Sequence, residues 1–247
     1  MKRSKLSQLY ASVLVNAIYS MENYPITLVN TFMAPLSIMI IITLISHGAL
    51  LSVSVAGALI MTMITSGIGL QADLSHLKND FKVQDMVVSS PTSAFMYMLG
   101  MALSEIIFSL PAIVILTILA VLFIKTTMIG AITIFAVMAL MFSFSIALGF
   151  FISTYSTDIV QNYAFIGILS IFLTTIPPVY YPITYIPLPW RYIAYLSPTT
   201  YAAEIIQSAI GYLQLSPLTL TVDWIVITAV AVALFVLSIK KSRWREN

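Results

Sequence analysis

Residues 23–71 read NYPITLVNTFMAPLSIMIIITLISHGALLSVSVAGALIMTMITSGIGLQ, without one Asp, Glu, Lys or Arg. The run is too long for a single membrane-spanning helix of about 20 residues and right for two. Its break falls at Ser46-His47-Gly48, so spans are expected over 27–45 and 50–70. Working outward, the preceding segment 1–25 begins with Lys2, Arg3 and Lys5. It then places Leu6, Leu9, Tyr10, Val13, Ala17, Ile18 and Met21 at three- and four-residue steps, with Ser7, Gln8, Ser12, Asn16 and Ser20 between them. That periodicity predicts an amphipathic helix lying in the membrane interface, with a loosely ordered basic leader as the plainer alternative.

Downstream, 71–92 is the most charged internal stretch, carrying Asp73, Lys78, Asp80, Lys82 and Asp85, and it belongs in water or against a soluble partner. A third span is expected over 95–124, kinked at Pro111, with Lys125 at its exit. A fourth runs over 129–152. A fifth begins near Tyr163 and must stop at Pro177-Pro178, where two backbone donors are missing. The segment 177–211, rich in Tyr and Pro and containing Trp190, has the composition of a re-entrant or interfacial element. A sixth span, 224–239, ends in Lys240, Lys241, Arg243 and Arg245.

The whole chain supports this reading. Of 247 residues, 60% are hydrophobic and 8% charged, against roughly 25% charged in a soluble domain, so no water-soluble surface can be assembled from it. One membrane domain over 1–247 is expected. The formal charge of +2 gives no basis for nucleic acid as a partner. The lack of cysteine excludes disulfides and thiolate chemistry. In the six-span arrangement nine Lys and Arg fall on one side (Lys2, Arg3, Lys5, Lys78, Lys82 and the four C-terminal bases), and only Lys125 and Arg191 on the other. The positive-inside rule places both termini in the cytoplasm, as an even number of spans requires.

Catalytic patterns are scarce. His47 and His76, the only histidines, fall on opposite sides of the membrane and cannot share a metal, and no P-loop, G-x-S-x-G, H-E-x-x-H or G-x-G-x-x-G occurs. No catalytic, cofactor-binding or metal-ligating residue is expected. The exception to an apolar interior is Glu105, inside the third span, about 15 Å along the helix from Phe95. A carboxyl at that depth reads either as a functional group, for proton coupling or substrate contact, or as a packing residue satisfied by nearby hydroxyls. Ser143 and Ser145 before Gly149 read either as helix-packing contacts or as pathway lining.

Two stretches carry a family resemblance. Leu188-Pro189-Trp190, Pro198, Thr200-Tyr201 and Glu204 resemble the "P…LP-W…N-P-L-T-Y…E" run that precedes the last span of ABC-2 type permeases, with Ser197 and Thr199 in place of the usual Asn and Leu. Upstream, Gln84-Asp85-Met86-Val87-Val88-Ser89-Ser90-Pro91-Thr92-Ser93 is similar to the family's "L-E-x-L-x-x-S-P-x-S" stretch, though its Glu-Arg and Gly-Thr portion is poorly kept. The resemblance implies an all-α polytopic membrane protein with six transmembrane helices, an N-terminal interfacial helix and a re-entrant extracellular segment. It implies an exporter half in the cell membrane, of the drug-resistance or polysaccharide-export kind, for a drug, lipid, peptide or glycan. ATP and Mg would be bound by a separate pair of ABC ATPase subunits and nothing by this chain. The ATPase would dock on a coupling helix within 74–89, with Asp80, Phe81, Lys82, Gln84 and Asp85 as candidate contacts. A second permease copy, identical or a paralogue, would complete the route. The competing reading is a proton-coupled secondary transporter using Glu105.

Overall fold

The computed structural model describes residues 5–23, 25–79, 94–153 and 159–241. Every regular element among them is helical. The first helix, α1 (Lys5–Val13), passes through a π-helical turn (Leu14–Ile18) into α2 (Tyr19–Asn23). Then follow α3 (Pro25–Ile45), α4 (Leu51–Asn79), α5 (Ala94–Phe123), α6 (Met128–Ser153) and α7 (Ile159–Ser170), the last extended by a π turn (Ile171–Thr175). After an irregular stretch come α8 (Arg191–Ala194), α9 (Pro198–Ala209) and α10 (Pro217–Lys241).

Among the described residues, four helical stretches are long and apolar enough to cross a membrane: Leu51–Gly69, Leu99–Phe123, Met128–Ser153 and Pro217–Lys240. The other two expected spans are apolar over shorter lengths, Thr31–Ile45 and Val160–Thr175. Burial separates their roles. The Leu51–Gly69 stretch is 83% buried whereas Leu99–Phe123 is 17% buried, so α4 is the axis of the bundle and α5 one of its walls. Outward-facing Leu44, Val121, Ile129, Phe135, Phe172 and Leu218 form an apolar perimeter that suits hydrocarbon as solvent.

Helices α4 and α6 cross closely, where small residues let two backbones meet. A Cβ placed on Gly149 would lie 2.7 Å from the Gly67 carbonyl oxygen, and one on Gly67 would lie 2.7 Å from the Ile146 nitrogen. Ser145 donates from Oγ to the Met63 carbonyl at 2.8 Å across this crossing, while Ser143 is exposed and bonds only within its own helix, to Ala139. On its other flank α6 accepts a 2.5 Å hydrogen bond at the Ala147 carbonyl from Ser238 of α10. Ser145 therefore packs, as one of its two sequence readings held.

Several boundaries differ from expectation. Helix α4 continues to Asn79, so the first half of the charged 71–92 stretch is not a loop; Ala72, Leu74, Leu77 and Lys78 are good helix formers and no Gly or Pro interrupts them. Helix α5 runs on as one element with Pro111 inside it. Helix α10 begins at Pro217, not near Trp224, because Ser216 caps it: the Thr219 amide donates to Ser216 Oγ at 3.1 Å, with proline in the first turn where its missing donor costs nothing. The N-terminal helix is amphipathic, with its apolar residues divided between packed and open positions. Ala17 is fully buried, but Leu6 and Tyr10 are exposed. Its contact with α5 is made by small groups, with Ser104 Oγ donating to the Ser12 carbonyl at 3.3 Å and Gly100 leaving room for Ser12.

Candidate functional site

At one end of the bundle the turn at 46–50, the turn at 124–127 and the stretch 176–216 come together. Ser52 bonds the Phe123 carbonyl at 2.9 Å and Thr126 bonds the Ala209 carbonyl at 2.9 Å. The stretch folds as it does because Pro177, Pro178, Pro182, Pro187 and Pro189 remove backbone donors and forbid a continuous helix. The carbonyls left over are collected by side chains. Arg191 donates from Nε to the Ile186 carbonyl at 2.6 Å and from Nη2 to the Thr184 carbonyl at 2.8 Å, closing the single 3₁₀ turn Ile183–Tyr185. Gln207 of α9 donates from Nε2 to the carbonyls of Pro178 and Tyr181, both at 3.2 Å. Tyr201 donates to the Tyr195 carbonyl at 3.0 Å, and Thr200 to the Ala194 carbonyl.

The stretch is also pinned to the bundle. Tyr180 is buried, with its hydroxyl 2.9 Å from the Met61 sulfur of α4 and 3.4 Å from the Pro35 carbonyl of α3. Gly57 of α4 makes room for it, since a Cβ there would fall 2.6 Å from the Val179 carbonyl oxygen. Arg191→Ala is expected to free the Thr184 and Ile186 carbonyls and raise the rate of limited proteolysis within 183–190 several-fold, with little change in the unfolding temperature, because the arginine is only partly buried.

Beneath this cover lies a polar cluster. Glu204 on α9 is 2% exposed and accepts a 2.9 Å hydrogen bond from the Tyr195 hydroxyl. Burial pushes its carboxyl above the usual carboxylate range, and the tyrosine bond partly opposes that. Tyr195 and Tyr201 pack with ring centroids 5.5 Å apart. Both phenols are pushed up, first by burial and then by the carboxylates of Glu204 and of Asp223 on α10. Asp223 is itself 2% exposed.

The residues singled out from sequence divide accordingly. Thr200 and Glu204 are buried, Tyr201 is half-buried, and Pro198 opens α9. Pro189 and Trp190 are exposed, and Pro189 follows a cis peptide bond. Glu105 is buried on α5 next to Ser104, at the α1 contact. It stands eighteen residues before Phe123, about 27 Å along the helix from the polar cluster's end, so the two acids do not share a site. Asp80, Phe81, Lys82, Gln84 and Asp85 lie outside the described residues. Asp223, Gln207 and Tyr195 were missed. The signal for Asp223 was the Ser216-Pro217 helix start, which puts the aspartate inside the last helix. Among the described residues, no group of three or more His, Cys, Asp or Glu is arranged to hold a metal ion.

A bundle of apolar helices, small-residue crossings and a proline-broken segment folded over one end corresponds to a known family. Residues 8–210 match the family described as ABC-2 type transporter, from the N-terminal helix to the end of α9. The chain belongs to the ABC-2 type transporter family. No curated protein matches it significantly.

As an ABC-2 transporter membrane domain, the chain is a permease subunit of an ABC transporter and is located in a membrane. Its part is transport across that membrane. The matched range contains Glu204 and Gln207 and stops short of Asp223, so one half of the buried polar cluster lies within the family's common ground and the other half beyond it.

Proposed function

We propose that this permease works as half of an ATP-driven exporter, with 176–209 as the re-entrant segment that closes the extracellular end and both termini in the cytoplasm of a cell that carries it in its plasma membrane. The observation that carries the reading is the family match over 8–210 together with the closure of one bundle end by 176–209. The stretch 71–92 lies at the other end of α4 and is the docking place for a pair of ABC ATPase subunits, which bind ATP and Mg. A second permease copy, identical or paralogous, faces this one and completes the route among membrane lipids. The substrate is hydrophobic or amphipathic, in the class of drugs, lipids, peptides and glycans, in keeping with walls supplied by aliphatic, hydroxyl and methionine side chains. A nucleotide-driven shift between two packed states moves it. A secondary carrier centred on Glu105 finds no support, since such carriers break their helices near mid-membrane and α5 is unbroken from Ala94 to Phe123.

The absence of cysteine makes the test direct. A single cysteine at Lys125→Cys is expected to react with a membrane-impermeant thiol reagent on intact cells, and Lys82→Cys only after permeabilisation. In isolated membranes, Lys82→Cys is expected to cross-link to an ATP-binding subunit. Labelling of Lys82→Cys on intact cells would invert the orientation, and cross-links to lipid or to the permease alone would remove the ATPase from the account.

A further inference from the structure

Five side-chain oxygen atoms toward the covered end of the bundle are buried without a hydrogen-bond partner among the described residues; two are the hydroxyls of Thr43 and Ser54, and the other three are the acceptors Glu204 Oε2, Gln207 Oε1 and Asp223 Oδ2. The side chains of these three acceptors are each 2% exposed. Glu204 and Gln207 are three apart on α9 and share a face of it; Asp223 comes from α10, which packs against α9. Two donors at the cluster are committed. The Tyr195 hydroxyl donates to the other Glu204 oxygen, and the Gln207 amide nitrogen is held by the Pro178 and Tyr181 carbonyls, which orients its oxygen the opposite way. What remains is a set of buried acceptors to which no hydrogen bond is made among the described residues, an arrangement folded proteins avoid because the lost water contacts are not replaced.

Among the described residues the surroundings offer no cation to balance two carboxylates. Helix α6 contributes no titratable side chain to the packing against α9, and neither does α4 over 51–69 or the turn 171–175. Helix α10 brings Asp223, with its bases Lys240 and Lys241 at the far end. The preceding segment brings Tyr195 and Arg191, and the guanidinium is engaged on the Thr184 and Ile186 carbonyls. Lys125 is exposed. A hard metal cation such as calcium takes 6–8 oxygen ligands, more than two carboxylates and an amide supply. One hydrogen ion fits: a carboxylic acid donates where a carboxylate cannot, and two like charges in a dry site do not both ionise.

We propose that Glu204 and Asp223 form a proton-binding site, holding one exchangeable proton between the two carboxyls with the Gln207 amide oxygen as the further acceptor. While 176–209 covers the end of the bundle, the proton stays with the pair. When that cover lifts and water enters, the acid's O–H bond breaks, the proton passes to water, and both carboxylates are solvated; closing again takes up one proton. Opening is therefore linked to the proton concentration on that side, so an acidic medium favours the closed state.

The sign follows from Glu204. Its folded-state affinity for a proton is raised above that of the unfolded chain by burial. The folded form is then favoured while the group is protonated, and that advantage is lost as pH rises from the unfolded value through the folded one. The proton site stands apart from the transport reading, while its link to opening rests on 176–209 as the closing segment, so the test uses the purified full chain without any ATPase. Thermal unfolding in detergent is followed from mildly acidic to mildly alkaline pH, alongside the infrared carbonyl band of protonated carboxyl groups. The wild type is expected to lose stability toward alkaline pH and to show a protonated-carboxyl band at neutral pH. Glu204→Gln and Asp223→Asn, which mimic the neutral side chains, are each expected to flatten the pH dependence, and the double variant to lose the band; Glu105→Gln identifies any share of it due to Glu105. A band and a pH profile unchanged in the double variant would overturn the proposal. So would stability that responds to sodium or calcium at fixed pH, which would mean that a metal ion fills the site.

Discussion

Gly149→Val is expected to abolish most of the folded, detergent-extractable protein. The backbones of α4 and α6 meet at this point, and a Cβ on Gly149 would press on the Gly67 carbonyl oxygen at 2.7 Å and lie 3.4 Å from that of Ile68. Neither obstacle is the far end of a flexible side chain, so relief requires α6 to move off the axial helix. That movement would also break the Ser145 bond to Met63 and the Ser238 bond to Ala147. Overpacking of this kind costs about 1–3 kcal/mol or more, a large share of a marginal stability. Gly69→Ala is the internal control. It sits two residues along α4 from Gly67 with nothing within 4 Å of its would-be Cβ, and a glycine in mid-helix is less favourable than alanine by about 1 kcal/mol. Size-exclusion yield and unfolding temperature should collapse for Gly149→Val and hold or rise for Gly69→Ala; equal tolerance of both would mean that the helices do not cross here.

The second large effect concerns Gln207. Its amide holds the carbonyls of Pro178 and Tyr181, on the two sides of Val179-Tyr180, against α9. Gln207→Leu keeps the approximate volume and removes the donor, leaving the buried Pro178 carbonyl unpaired at about 1–3 kcal/mol and the partly buried Tyr181 carbonyl unpaired at less. The expected outcome is a drop of several degrees in unfolding temperature, new protease sensitivity in 176–190 and loss of transport. Gln214→Leu, at an exposed position after α9, should leave all three readouts unchanged. Equal behaviour of the two variants would show that the cover is not tied down through Gln207.

Much of this fold could be read before any coordinates, and particular residues explain why. The charge-free run 23–71 needs only hydropathy and the thickness of a bilayer, and the Ser46-His47-Gly48 break became the turn at 46–50 because nothing tertiary was required to place it. Pro177-Pro178 stopped the fifth apolar helix for a covalent reason. By contrast, Asp223 was set outside the last span because a charge counts against hydropathy; its burial depends on α9 and the Tyr195–Tyr201 pair, which arrive from elsewhere in the chain. Gln207 gave no local signal at all, since a glutamine on a short helix is ordinary until the carbonyls it bonds are brought to it. The centrality of α4 was likewise invisible, because every span reads as apolar and only packing distinguishes the axis from the walls. Ser143 and Ser145 make the same point on a smaller scale: two residues apart, one faces outward and one stitches the bundle.

The central claim is that this permease is driven by a separate ATPase docked on 71–92. Affinity purification from native membranes in mild detergent tests it most directly, with co-purifying subunits scored for ATP hydrolysis, for the intact chain and for a variant carrying Asp80→Ala, Phe81→Ala and Asp85→Ala together. The expected result is an ATPase recovered with the intact chain and reduced at least tenfold with the variant, while the folded yield of the permease is the same. Absence of any ATPase from the intact chain, under conditions that keep other membrane complexes together, would contradict the account.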